Sequence, residues 1–202
     1  MRRVLLTGAT GFVGAAVLRR LRRQDREVAV ILRAASDTHR IADLLDQTTV
    51  IRGDLSRPDE FRERVRAFGP QVVAHLAWDG VKGAVRNDPA QLDNVVSAIA
   101  LYRMTAALGC HRFVGLGSQA EYGPQTGRIR EDCPTRPTTL YGAAKLATCL
   151  MLERAAASSG RGFAWLRLFS TYGPGDDPSW MIPYLIRCLL ARLDGVPAGA
   201  GS

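Results

Sequence analysis

The chain has 202 residues, 47% apolar and 23% charged, an ordinary globular balance with enough length for one domain, or one domain and a fragment of a second. No apolar run is long enough to span a bilayer and a strand begins at the second residue, so the expectation is a cytoplasmic protein with no signal peptide and no membrane partner. The formal charge of +8 sits largely on two arginine-rich helical stretches without interleaved aromatics. Solvated helix faces account for that pattern, and no nucleic-acid partner is expected.

Residues 2–7 read as a strand whose apolar run Val4-Leu5-Leu6 breaks into Thr7-Gly8-Ala9-Thr10-Gly11-Phe12-Val13-Gly14. Residues 12–23 follow as a helix, with apolar Phe12, Val13, Ala16, Val17 and Leu21 at helical spacing. A strand that turns through glycines into a helix is a dinucleotide pyrophosphate site. Gly8 permits the sharp turn, Gly11 lets phosphate approach the backbone, and Gly14 lets the helix pack on its strand. Thr10, Phe12 and Val13 complete the cradle, where free N–H groups and the helix dipole face the phosphates.

A second strand spans 27–33 and a short helix 41–45. A third strand at 49–52 ends in Gly53-Asp54-Leu55. Pro58 starts a helix over 58–68 that Gly69-Pro70 stops. Residues 71–77 form a fourth strand, 89–108 a long helix ended by Gly109, and 112–116 a fifth strand followed by Gly117-Ser118. Residues 122–138 read as a loop, 141–159 as a second long helix, 163–169 as a sixth strand and 181–193 as a last helix. Strands alternating with helices predict an α/β, Rossmann-type doubly wound parallel sheet with ligands beyond the carboxyl ends of the strands. The four cysteines and three histidines show no metal-ligand spacing, so neither a metal nor a disulfide framework is expected.

Tyr141 and Lys145 lie four apart on one predicted helix and share a face. A free tyrosine titrates near pH ~10, and a neighbouring ammonium favours its phenolate. Such a tyrosine can give a proton to a carbonyl or take one from an alcohol. Ser118, at a strand end, can hold the same oxygen by a hydrogen bond.

With these residues in view, the chain resembles the extended short-chain dehydrogenase/reductase superfamily, specifically its NAD-dependent epimerase/dehydratase group acting on nucleotide sugars. The markers are the glycine turn, Gly53-Asp54-Leu55, His75-Leu76-Ala77, Asn94, Gly117-Ser118 with Glu121-Tyr122-Gly123, Tyr141 with Lys145, and Arg167 with Tyr172-Gly173-Pro174. The resemblance implies that Asp54 and Leu55 meet adenine and that Leu76 and Ala77 lie along the cofactor. It also implies that Lys145 bonds the nicotinamide ribose, that Asn94 supports the catalytic helix through water, and that Gln119 and Ser170 face a nucleotide-sugar substrate. Ser170 stands where the group usually has asparagine. Members that dehydrate carry Asp-Glu after the catalytic hydroxyl residue; Gln119 and Ala120 occupy those places, so dehydration is not expected. Relatives dimerise through two long helices, which here are those holding Asn94 and Tyr141, and a homodimer is the expectation.

An acidic residue about twenty positions beyond the glycines bonds the ribose of NAD. This chain has Arg33 there, with Ser36 beside it. Arginine suits a 2′-phosphate, so NADP(H) is favoured, with Asp37 keeping NAD(H) open. The expected activity is reduction of a keto group on a nucleotide-linked 4-keto-6-deoxy sugar. The alternatives are an NAD-dependent epimerase and a truncated dinucleotide-binding chain without turnover. Residues 1–175 are expected to form the dinucleotide-binding domain with the catalytic residues, and 176–202 the remnant of a largely missing substrate domain ending in a flexible tail.

Overall fold

The computed structural model describes residues 3–193. The predicted tail lies outside the described residues. Six strands form one parallel sheet: β1 (Arg3–Thr7), β2 (Glu27–Leu32), β3 (Thr49–Arg52), β4 (Val72–His75), β5 (Arg112–Ser118) and β6 (Gly162–Leu168). Their order is β3-β2-β1-β4-β5-β6, so the connections reverse direction between β1 and β4. This is the predicted doubly wound Rossmann-type arrangement, and its reversal point is where such sheets bind ligands. Register places Thr7 beside Ile31 on one side and His75 on the other, so three strand ends come level.

Side chains of the central strands alternate between two apolar layers, as the pleat requires. Leu6, Val28, Val30 and Leu32 pack with Ala15 and Leu18 of α1 (Phe12–Arg23). Leu5, Ala29, Ile31, Val73 and Phe113 pack on the opposite face. There they meet Val65 of α2 (Arg62–Phe68), Leu101 and Met104 of α3 (Gln91–Ala107), and Leu152 and Ala156 of α4 (Leu140–Ser158).

The differences from the predicted elements are local. The stretch predicted as one helix from Pro58 divides into a 3-10 turn, Pro58–Phe61, and α2. The predicted short helix is a 3-10 segment, His39–Gln47. Two further 3-10 turns, Gly83–Asn87 and Gln119–Glu121, carry no apolar period and were not legible. β5 runs two residues beyond its predicted end because Gly117 and Ser118 stay paired with Arg167 and Leu168 of β6; the Trp165 ring lies over Gly115 and Gly117, where any Cβ would collide with it.

The described residues divide into two compact units, one ending at Phe169 and the other beginning at Ser170. The second contains α5 (Met181–Leu193), whose Tyr184, Leu185, Ile186, Leu189 and Leu190 are exposed. Among the described residues, no helix is long and apolar enough to cross a membrane.

Candidate active site

A cleft of about 480 Å³ opens beyond the carboxyl ends of β1, β2, β3 and β4. Its floor is the turn after β1. Gly8 has a φ of 75° and abuts the backbone of Leu76 and Ala77. Gly11 is extended, and a Cβ there would meet only the Gly8 carbonyl oxygen, at 3.4 Å. Gly14 presses its Cα against the Gly8 backbone, which brings α1 down onto β1. Gly8, Thr10 and Gly11 line the cleft, while Phe12, Val13 and Gly14 open α1 behind that floor. No side chain caps the helix, so the N–H groups of its first turn have no partner within it. An uncapped helix start, a floor without Cβ atoms and this volume fit the diphosphate of a dinucleotide.

Thr7 joins the floor to β4. Its hydroxyl pairs with His75 Nδ1 at 2.8 Å and accepts from the Ala77 N–H at 3.3 Å. His75 is buried, and burial first, then the Lys145 charge, pushes its pKa down to about 3. A neutral imidazole therefore acts as a spacer between the strand ends, with Leu76 and Ala77 held along the cleft wall.

The rim beyond β2 holds Arg33 and Ser36, joined by a turn in which the Ser36 N–H donates to the Arg33 carbonyl oxygen at 3.1 Å. The Arg33 guanidinium donates to Asp79 at 3.2 Å, and both side chains are more than half exposed. Such a pair contributes about 0–1 kcal/mol and yields readily to a stronger anion. Asp37 turns to His39, whose backbone N–H (3.0 Å) and ring (2.7 Å) hold the carboxyl below its ordinary range. Asp54 and Leu55 line the cleft, and the Ser56 N–H and hydroxyl hold the Asp54 carboxyl low at 2.9 and 2.8 Å.

Ser118, Tyr141 and Lys145 come together beside this cleft. Thr139 caps α4 by accepting from the Gly142 N–H at 3.1 Å, and Asn87 Oδ1 accepts from the Leu140 N–H at 3.0 Å. Tyr141 and Lys145 then face inward one turn apart, 8% and 3% exposed. Burial raises the Tyr141 phenol, while a hydrogen bond with Ser118 and the charge of Arg86 lower it and Glu121 raises it. Burial brings the Lys145 amine down to about 7 against the opposing pull of Glu121. Lys145 Nζ donates to the Leu116 carbonyl oxygen at 2.6 Å and lies 3.9 Å from the centre of the Trp78 ring. Trp78 also meets Tyr141 edge-on at 6.3 Å and lines the cleft, so the indole borders both places.

Glu121, fully buried, ties β5 to β6. It accepts from the Ser118 N–H at 2.8 Å, Trp165 Nε1 at 2.9 Å and Arg167 Nε at 2.8 Å. Ser118 is thereby held at both backbone and side chain, since its Oγ accepts from the Ala120 N–H at 3.2 Å. Gln119 is exposed next to it. Ser170 is exposed in the second unit.

Several residues of this region were not singled out from the sequence. Gln91, 1% exposed, accepts from Trp78 Nε1 at 2.8 Å and donates to the carbonyl oxygens of Gly80 and Val85 at 2.7 and 3.1 Å. It organises the whole segment after β4. A polar residue on the buried stripe of α3, in line with Ala98, Leu101 and Thr105, was the available signal. Trp78, Arg86 and Asn87 offered none. Asn94 spends its amide on the backbone of Asp79, accepting at 2.9 Å and donating at 3.1 Å, so it braces the cleft wall.

A sequence model described as the NAD dependent epimerase/dehydratase family matches residues 4–202. The chain belongs to this family. It is therefore a member of the extended short-chain dehydrogenase/reductase superfamily. It is 30% identical over 203 residues to a UDP-glucose 4-epimerase of Streptomyces lividans, covering 95% of this chain and 61% of that protein. It is 27% identical to the dTDP-6-deoxy-L-talose 4-dehydrogenase (NAD(+)) of Aggregatibacter actinomycetemcomitans, covering 86% of this chain and 62% of the relative. The UDP-glucose 4-epimerase of Thermus thermophilus, in complex with NAD, superimposes with a TM-score of 0.82 at 27% identity, over 96% of this chain and 64% of that one. This chain thus spans about three fifths of the length of these relatives.

Proposed function

We propose that these residues form the cofactor-binding and proton-transfer part of a cytoplasmic oxidoreductase that reduces the keto group of a nucleotide-linked 4-keto-6-deoxy sugar. The observation that carries this reading is the meeting of Ser118, Tyr141 and Lys145 beside a glycine-floored cleft. Gly8, Thr10, Gly11 and the N–H groups of Phe12, Val13 and Gly14 hold the cofactor diphosphate. Asp54 and Leu55 would meet the adenine, Leu76 and Ala77 would lie along the cofactor, and Lys145 would bond the nicotinamide ribose. When bound, the nicotinamide supplies hydride to the sugar carbon or accepts it. Tyr141 donates its proton to the ketone oxygen, and Ser118 hydrogen-bonds that same oxygen. Gln119 and Ser170 belong to the substrate side. Residues 1–175 make up the dinucleotide-binding domain, and 176–202 the remnant of the substrate domain.

NADP(H) is the favoured cofactor. Arg33 and Ser36 stand on the rim, while Asp37, just beyond them in the chain, is turned to His39. The Aggregatibacter relative, named as a 4-dehydrogenase of a 6-deoxy sugar, supports redox chemistry at position 4 but is named for NAD(+). A second reading, an NAD-dependent epimerase, is favoured by the similarity to UDP-glucose 4-epimerases. Exposed Leu92 and Val96 on α3 and Leu150 and Met151 on α4 support a homodimer through these helices.

Titration with NADPH and NADH, followed by fluorescence and then by cofactor oxidation with a 4-keto-6-deoxy sugar nucleotide, tests both readings. The reductase reading expects tighter NADPH binding, and Arg33→Ala should weaken NADPH by ~10- to 100-fold through loss of a charge-assisted contact. Equal or tighter NADH binding overturns the cofactor preference. NAD retained through purification without net turnover supports the epimerase. Tyr141→Phe should abolish turnover with cofactor affinity nearly intact, and surviving turnover removes the proton donor.

A further inference from the structure

Among the described residues, the charged side chains that line the cleft are Arg33, Asp54, Asp79 and Asp93. Asp54 is engaged by Ser56, whose N–H and hydroxyl both donate to its carboxylate. The Arg33 guanidinium donates to Asp79, at 3.2 Å. Sheet order gives this pair its place. Arg33 follows β2, Asp79 follows β4, and β1 runs between those two strands. Neighbouring strands lie ~4.8 Å apart, so the ends of β2 and β4 are separated by ~10 Å. The ion pair therefore joins the two walls of the cleft across the end of β1, whose glycine turn is the floor.

Both partners are fixed at the backbone and free at the side chain. The Asp79 N–H donates to Asn94 Oδ1 at 2.9 Å, and its carbonyl oxygen accepts from Asn94 Nδ2 at 3.1 Å. Gln91, buried, takes the next carbonyl oxygen, that of Gly80, at 2.7 Å. On the other wall, the Arg33 carbonyl oxygen accepts from the Ser36 N–H at 3.1 Å and from Arg52 at 3.3 Å. The guanidinium and carboxylate, 59% and 75% exposed, are left to meet or part over the cleft.

We propose that Asp79 is a specificity-determining residue for the cofactor, competing with a ribose 2′-phosphate for the Arg33 guanidinium. A dinucleotide without that phosphate leaves the pair intact across the cleft. One that carries it must draw Arg33 away, and it brings ~1.5–2 further negative charges near a carboxylate that has lost its partner. Exposure of both side chains keeps the cost small, so Asp79 tempers the preference for NADP(H) without abolishing it. This rests on the cleft as a dinucleotide site and on Arg33 as its 2′-phosphate ligand. Fluorescence titration of Asp79→Asn with NADPH and with NADH reads the ratio of the two dissociation constants. Removing one exposed, paired charge should move that ratio toward NADPH by ~3- to 10-fold, and the gain should shrink at high salt. Placed in an Arg33→Ala background, Asp79→Asn should move the ratio by ~2-fold or less, because a carboxylate acting through solvent alone is screened. Asp93→Asn, which removes a cleft-lining carboxylate from α3, is the charge control and should also stay within ~2-fold.

An unmoved ratio in Asp79→Asn overturns the inference, as does an equal shift in Asp93→Asn or a full shift in the Arg33→Ala background. Each of those results leaves the proposed activity and Arg33 standing. Wild type that binds NADH as tightly as NADPH overturns the cofactor preference and leaves the Asp79 shift measurable. Arg33→Ala that binds NADPH as wild type does removes the phosphate ligand, and the inference with it.

Discussion

Gly11 and Gly14 stand three residues apart in one turn, yet replacing them should damage different properties. At Gly14, an alanine Cβ would fall 1.9 Å from the Gly8 carbonyl oxygen and 2.7 Å from its carbon. Both are backbone atoms of the turn, so no side chain can swing away and α1 must retreat from β1. Overpacking of this kind costs ~2–3 kcal/mol, the upper part of its usual range. Alanine recovers ~1 kcal/mol of helix propensity over glycine, leaving a net loss of ~1–2 kcal/mol. In urea that lowers the unfolding midpoint by ~0.5–1 M. At Gly11 the backbone is already extended, with φ −75° and ψ 166°, and the added methyl meets only the Gly8 oxygen at ordinary contact distance. Gly11→Ala should therefore cost ~0.5 kcal/mol, the difference between glycine and alanine at a helix start. Its methyl instead stands on the cleft floor and holds a phosphate off the helix N–H groups. Losing one charge-assisted hydrogen bond weakens dinucleotide binding by ~10- to 100-fold. Urea unfolding and fluorescence titration of both variants separate the effects. Unchanged affinity in Gly11→Ala, or unchanged stability in Gly14→Ala, refutes the division of labour assigned to the turn.

Two further outcomes follow from the buried charges. Glu121→Gln leaves Arg167, partly buried, facing an amide, and should cost ~2–4 kcal/mol in urea unfolding; stability within ~1 kcal/mol of wild type would show that the ion pair does not secure β5 to β6. Lys145 has a folded-state pKa of about 7 against an ordinary 10.5, so between those values the unfolded chain binds more protons than the folded one. Its contribution to stability therefore improves as pH rises from about 7 towards 10.5. The stability of wild type relative to Lys145→Met should climb across that window, and a flat difference would mean that the amine is not desolvated.

Alternation of strands and helices, the glycine turn after β1 and the i, i+4 pair on α4 were legible because each is local. Backbone sterics favour glycine at a left-handed turn such as Gly8, and the helical repeat alone aligns Tyr141 with Lys145. The alternation predicted the parallel sheet, and the other two the neighbourhood of the candidate site. What they could not supply was the partner of each polar group. Gln91 reaches Trp78 and Gly80, Asn87 reaches Leu140, and Glu121 collects Ser118, Trp165 and Arg167 across as many as 53 positions of chain. No periodicity encodes such pairings, since they depend on which loops the sheet brings together.

The division is clearest at the phenol. The sequence by itself determined that an amine would share its helical face. Only the packed structure decided that burial would bring that amine's pKa down to about 7 and engage it with Trp78 and Leu116, and that a guanidinium from the segment after β4 would cover the ring. Desolvation and hydrogen-bond competition depend on every neighbour in three dimensions, whereas helical phase depends on the spacing of residues along one segment.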